Sequence, residues 1–160
     1  MRFFWIVMGL HVTLFAHPHF FIETSLVIEK ERLVHTWRFD RLNSKLLIFE
    51  CDTDKNGILD AKEQAHFLAT YIEPLRANQF NLFFQEAEIE QSLIPTSLHV
   101  NIENKRLVLS FFTPHDFKKP AIFCTIDATL YMAYQLESVQ SVYAYEVQKS
   151  EYDFCLGVNP

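Results

Sequence analysis

The stretch richest in potential ligand chemistry is residues 52–63, DTDKNGILDAKE. Its spacing matches every position of an EF-hand calcium loop, in which a glycine makes the sharp turn and a final glutamate offers both carboxylate oxygens. Six residues would supply the ligands: Asp52, Asp54, Asn56, Ile58, Asp60 and Glu63. Ile58 would bind through its backbone carbonyl. All these donors are hard oxygen atoms, so the pattern predicts Ca²⁺ rather than a softer transition metal.

The residues on either side of this loop predict two helices. An apolar run at residues 46–49 precedes it, within a predicted helix at about 42–51. Asp60 followed by Glu63 is typical of a helix N-cap with a capping box, and Pro74 discourages continuation of the exit helix. The pattern therefore predicts a helix–calcium loop–helix insertion at about 42–75.

A second group of possible ligands is rich in histidine and comprises His17, His19, Glu23 and His35. Cleavage after Ala16 would make His17 the N-terminus, where its amine and ring, together with the ring of His19, could chelate Ni²⁺, Co²⁺, Zn²⁺ or Cu²⁺. Glu23 would share the strand face of His19 and could add an oxygen, and His35 could be a distant third ligand. The alternative is a polar terminus with Glu23 paired to Arg38 and His35 satisfied in the core.

The first sixteen residues predict a secretory leader and therefore a periplasmic protein. Arg2 precedes an apolar run at residues 3–15, which is shorter than the roughly 20 residues that a membrane-spanning helix needs. An uncleaved membrane anchor is the alternative. The mature protein, residues 17–160, is expected to be one domain without a membrane span.

Composition narrows the class of protein. Hydrophobic residues make up 49% of the chain, with sixteen phenylalanines, so a packed core is expected rather than disorder. The net charge of −6 becomes more negative when Arg2 is lost with the leader. This charge argues against nucleic acid and against an anionic membrane surface as partners.

Three cysteines predict one disulfide and one free thiol in an oxidising compartment. Cys51 adjoins the acidic loop and is expected to pack as a small apolar residue, which makes Cys124–Cys155 the predicted disulfide. No arrangement of residues typical of a catalytic nucleophile is present, so an enzyme is not predicted.

Alternating apolar residues predict two β-hairpins and several later strands. Pairing Ile28 with Leu33 sets Ile22 opposite Phe39, and pairing Ile102 with Leu107 sets Leu98 opposite Phe111. Further strands are predicted from about residue 79 and at 122–127, 129–135 and 139–147. The fold class is α+β, mostly antiparallel and sandwich-like, with the helical insertion between its second and third strands.

The order of short motifs resembles a known family. The motifs are AHPH at 16–19, TWRFD at 36–40, the loop at 52–63 and a late Cys155 before Pro160. This order resembles the small periplasmic proteins classed as domain of unknown function 1007, described as a periplasmic component of an uncharacterised ABC-type transport system. The resemblance implies an envelope location, a link to transition-metal handling and a membrane metal permease or ABC transporter as partner. It supplies no catalytic residue.

Two functional hypotheses follow. The first is an exported calcium-binding accessory protein linked to a divalent transition-metal transport system. The second is a calcium-stapled structural or protein-interaction module with no transition-metal role.

Overall fold

Ten β-strands and two α-helices make up the computed structural model, which describes residues 19–129 and 131–160. The strands are β1 (Phe20–Ile28), β2 (Arg32–Phe39), β3 (Leu82–Glu86), β4 (Ile89–Ser92), β5 (Thr96–Glu103), β6 (Arg106–Pro114), β7 (Ala121–Thr125), β8 (Met132–Ser141), β9 (Ala144–Lys149) and β10 (Phe154–Asn159). The helices are α1 (Arg41–Cys51) and α2 (Ala61–Phe67); a π-helical turn, Leu68–Ile72, and a 3₁₀ segment, Glu73–Asn81, follow α2. The predicted leader and His17 lie outside the described residues.

The strands form two five-stranded sheets. Their orders are β5-β6-β2-β1-β8 and β4-β3-β7-β10-β9. The pairing of β1 with β8 is parallel, and the other pairings between described strands are antiparallel. The prediction of an α+β, mostly antiparallel fold is therefore confirmed.

The first hairpin has the predicted register. Ile22 lies opposite Phe39, Leu26 opposite His35 and Ile28 opposite Leu33. Alternate residues of both strands are buried, because successive side chains of a strand point to opposite faces of the sheet. The apolar face of this hairpin forms one wall of the core.

The second hairpin has the predicted register only near its turn. Ile102 lies opposite Leu107, as predicted, but the prediction that Leu98 faces Phe111 is wrong. The register shifts between Thr96 and His99, where Ser97 has a φ of +52°. This is a β-bulge, which adds one residue to a single strand. The alternation of apolar residues does not predict it.

Several predicted strands have different limits in the structure: the strand predicted at 122–127 ends at Thr125, and the strand predicted at 129–135 becomes β8, Met132–Ser141. The strand predicted from about residue 79 begins at Leu82, because residues 79–81 have left-handed backbone, with φ values of 52°, 57° and 58°. The strand predicted at 139–147 is interrupted after Ser141, where the chain passes from one sheet to the other. The C-terminal strand β10 was not predicted.

Helix α1 is fixed to the first sheet by hydrogen bonds at its start. The Asp40 carboxylate accepts the Leu42 and Asn43 N–H groups at 2.9 and 3.0 Å, which caps the helix. The Ser44 hydroxyl donates to the Phe39 carbonyl at 3.1 Å and accepts the Leu107 N–H at 3.0 Å. The inward face of α1 is thereby held against the hairpins.

A disulfide joins Cys124 of β7 to Cys155 of β10, which are directly opposed in the sheet. Cys51 carries a free, buried thiol at the end of α1. Among the described residues, no helix combines the length and apolar character needed to cross a bilayer.

Candidate metal centre

The loop at residues 52–63 joins α1 to α2 and is fixed by a helix cap at its far end. Asp60 Oδ1 accepts the N–H groups of Lys62 and Glu63 at 2.7 and 2.9 Å. Glu63 Oε2 accepts the Asp60 N–H at 3.0 Å, which completes the predicted capping box. The cap holds the Glu63 side chain on the loop side of α2.

The first half of the loop wraps around the Asp52 carboxylate. Asp52 Oδ1 accepts the Asn56 N–H at 3.1 Å, and Oδ2 accepts the Gly57 N–H at 2.9 Å. Gly57 has a φ of +80°, a left-handed conformation that glycine adopts without steric cost. The turn that the sequence assigns to glycine is therefore present at this position.

Thr53 holds Glu63 from the other side of the loop. Its N–H and its hydroxyl both donate to Glu63 Oε1 at 2.7 Å. The Thr53 hydroxyl, followed by backbone N–H donors, stabilises the charged carboxylate and lowers the pKa of Glu63. Sequence reasoning missed Thr53 because the loop pattern leaves its second position free.

Three carboxylates converge at the centre of the loop. One oxygen each from Asp52, Asp54 and Glu63 lies within 4.8 Å of the other two. Oxygens bound to one Ca²⁺ at about 2.3–2.6 Å can be roughly 5 Å apart, so the donor set fits a cation of this size. Asp52 and Glu63 are buried and Asp54 is exposed, which leaves one side open to solvent.

The other predicted ligands lie around this cluster. Asn56 Oδ1 accepts the Ile58 N–H at 2.7 Å, and the Asp60 carboxylate is engaged in capping α2. The Ile58 side chain is 70% exposed. Among the carboxylates, the structure thus brings Asp52, Asp54 and Glu63 together and leaves Asp60 outside the converging group. Asn56 Nδ2 donates to Asp54 Oδ2 at 2.7 Å, so its side chain adjoins the cluster.

The described members of the histidine-rich group, His19, Glu23 and His35, are not brought together; His17 lies outside the described residues. His19 is exposed at the start of β1, with its ring centroid 4.9 Å from that of Tyr131. Glu23 lies four residues further along the same strand, about 13 Å away. Its Oε2 lies 2.7 Å from Arg106 Nη1 and 3.8 Å from Arg38, so Glu23 is engaged in ion pairs.

His35 is a core residue remote from His19. It pairs with Leu26, seven residues along β1 and about 23 Å from His19. The ring is fully buried, lies 3.0 Å from the Thr113 hydroxyl through Nε2 and stacks on Phe111. Burial lowers the pKa of His35 to about 3. The structure therefore corrects the prediction of His35 as a distant ligand and agrees with the alternative of a core histidine.

The fold and this loop define the class of protein: a two-sheet α+β protein with an acidic helix–loop–helix between β2 and β3. A family model described as "Protein of unknown function (DUF1007)" matches residues 2–155, and the chain belongs to that family. Comparison of this chain with the curated proteins and with the solved structures found no match.

Proposed function

We propose that this protein is an exported calcium-binding module in which one Ca²⁺ binds the loop between α1 and α2 and holds the two helices together. The observation that carries the proposal is the convergence of oxygens from Asp52, Asp54 and Glu63 within 4.8 Å of one another. The Asn56 side chain, the Ile58 carbonyl and Asp60, the last through water, would complete the ligand set.

The charge of the loop supports the same proposal. Residues 52–63 contain four acidic and two basic side chains, an excess of negative charge that one Ca²⁺ would cancel. Like charges at such short range repel one another, so a bound cation stabilises the folded loop. The affinity expected of an extracellular module is about 10⁻⁴–10⁻³ M, which suits a structural ion in a calcium-containing compartment.

The position of the loop explains what the ion would hold together. Cys51 at the end of α1 and Phe67 at the end of α2 are both completely buried in the core. A fixed loop therefore fixes the angle at which both helices pack against the sheets. In this role calcium maintains a surface for interaction, which corresponds to the second of the two hypotheses.

The link to transition-metal transport has no support from the described ligands. His19, Glu23 and His35 are far apart, and His17 lies outside the described residues. A permease or ABC transporter as partner stays a prediction that depends on the family resemblance alone.

The proposal is tested by calcium titration of the wild type and of Glu63→Gln, followed by calorimetry and thermal unfolding. Glutamine at this position can still complete a capping box but carries no charge for the ion. The wild type is expected to gain about 2.7 kcal/mol of stability at a calcium concentration 100 times the Kd. The variant is expected to gain almost nothing.

Glu88→Gln provides the matched control, because Glu88 is exposed in the β3–β4 turn, and it should respond to calcium as the wild type does. A wild-type melting temperature indifferent to calcium raised to about 100 mM, which is about 100 times the weakest expected Kd, would contradict the proposal. An equal response from Glu63→Gln would contradict it as well.

A further inference from the structure

The outward face of α1 is apolar, although it points into solvent. Leu42, Leu46 and Phe49 are 69%, 59% and 77% exposed. They follow one another at i, i+4 and i+7, so they form one ridge along the helix. The opposite face of α1 already packs on the core through Leu47 and Cys51. A surface helix normally presents polar residues on its solvent side, so this ridge needs a partner.

Basic side chains border the ridge on one flank. Arg41 and Lys45 of α1, together with Lys105 of the β5–β6 turn, line a cleft of about 480 Å³ with Ile48 and Asn104. Among the salt bridges between described residues, none involves these three cations. Lys55 lies close to the ridge as well, with its Nζ 5.8 Å from the Phe49 ring centroid.

This combination has a specific chemical complement. Unneutralised cations in a chain of net charge −6 attract an anionic ligand, and the adjacent ridge requires an apolar one. We propose that this surface docks on a bilayer containing anionic phospholipids. Its ridge (Leu42, Leu46, Phe49) enters the boundary between headgroups and acyl chains, and its cations (Arg41, Lys45, Lys105) contact lipid phosphates.

A second copy of this chain fits the surface less well. A two-fold contact through this face would bring the same cluster of cations from both copies into one interface. A stable protein interface also buries about 800 Å² on each partner around a desolvated centre, whereas this ridge is one helix wide. A bilayer has no such requirement, because each apolar side chain enters it separately.

The net charge of the chain does not oppose this docking. Fields from exposed charges are screened beyond about 8–10 Å at physiological ionic strength. The bilayer would therefore be sensitive to the local charges, which are the cations Arg41, Lys45, Lys55 and Lys105 against the exposed Glu50 and Asp54. The sequence-based argument against an anionic membrane holds only for the chain average. The proposal does not depend on the calcium site, so it is tested in the presence of a chelator.

The test is co-sedimentation of the full chain with phosphatidylcholine vesicles, with and without about 30 mol % phosphatidylglycerol. Wild type is expected to bind the anionic vesicles at least about tenfold more tightly than the neutral ones. Leu42→Ser/Leu46→Ser/Phe49→Ser and, separately, Lys45→Glu/Lys105→Glu should each weaken this binding at least about tenfold.

Matched controls change equally exposed residues elsewhere. Ile89→Ser/Ile94→Ser/Val142→Ser removes three apolar side chains that are 59–65% exposed, and Lys30→Glu/Lys119→Glu reverses two exposed charges. Both should bind within about twofold of wild type. All these proteins share one N-terminus, so any lipid affinity of residues 1–18 affects them equally.

Phe49→Trp gives a second measurement that keeps the ridge intact. After subtraction of the wild-type emission, which comes from Trp5 and Trp37, the signal of the new tryptophan should shift to the blue and be quenched by brominated acyl chains in anionic vesicles, whereas that of Ile94→Trp should not respond. Unquenched Phe49→Trp, or equal binding by the ridge variant and its control, would overturn the proposal. A wild type that binds neutral and anionic vesicles equally, or that dimerises through the ridge without binding vesicles, would also overturn it.

Discussion

The core around His35 and the loop at residues 52–63 differ in the charge that they contain. His35 is fully buried between Phe111 and Phe123, with ring-centroid distances of 4.5 and 5.5 Å. No described side chain forms a salt bridge with it. The loop instead brings together the carboxylates of the buried Asp52 and Glu63 and the exposed Asp54, and N–H donors surround the two buried ones. The core around His35 thus excludes charge, whereas the loop concentrates negative charge that hydrogen bonds, and in our proposal a bound cation, must offset.

This difference separates what acid and calcium should do to the protein. Acid should act on His35, because protonation requires a charge in the core. In the loop, the pKa of Glu63 is lowered, so the stability from its hydrogen bonds is present above its unfolded pKa and lost only as pH falls through the lower folded one. Calcium should act through the loop, and its effect should not require a change in the protonation of His35.

The largest expected effect comes from removing core volume. Phe123 is completely buried, and Phe123→Ala should cost about 3–5 kcal/mol of unfolding free energy through lost burial and the cavity left behind. Urea unfolding should give the same loss in calcium and in chelator. Phe49→Ala is the control, since Phe49 is 77% exposed. A loss of similar size in this variant would show that burial in the core does not cause the loss in Phe123→Ala.

The next effect is the pH dependence due to His35. Burial lowers its folded pKa to about 3, against an ordinary value of 6.5 for histidine, so the unfolded state binds the proton first and stability falls as pH drops below about 6.5. At pH 4.5 the loss should be about 3 kcal/mol, from two pH units at about 1.4 kcal/mol each. Urea unfolding at pH 7.5 and 4.5 measures this loss.

His35→Gln should remove that pH dependence while keeping a group that can hydrogen-bond to Thr113. The comparison isolates His35 because every other titrating group is shared by the two proteins. An equally steep loss of stability in His35→Gln would show that acid acts elsewhere in the molecule.

The smallest expected loss of stability comes from replacing the glycine in the turn of the loop. Gly57→Ala should cost about 1–2 kcal/mol, because alanine disfavours the left-handed conformation at φ +80°, and it should also weaken calcium binding in calorimetry. Gly157→Ala in β10 should cost less, since no heavy atom lies within 4 Å of the added methyl group and its φ is not left-handed. Equal losses would show that the turn of the loop is not fixed by glycine.

Local patterns in the sequence predicted local structure well. The alternation in residues 20–39 predicted the first hairpin register because a shift by one residue would turn every apolar side chain to the wrong face. The capping box at Asp60 and Glu63 was predictable for a similar reason, since both partners lie within one helical turn. The bulge at Ser97 and the left-handed residues 79–81 were not predictable, because their side chains do not require those backbone angles.

The sequence by itself determined the alternating strands, the helix boundaries around residues 52–63 and the spacing of the acidic side chains. Only the tertiary structure decided that Lys105 joins Arg41 and Lys45 around one cleft, that Arg106 pairs with Glu23, and that β1 pairs in parallel with β8. The physical reason is the separation of the interacting residues along the chain. Hydrogen bonds and steric limits within a few residues follow from neighbours in the chain, whereas contacts across 60 or more residues depend on how both sheets pack.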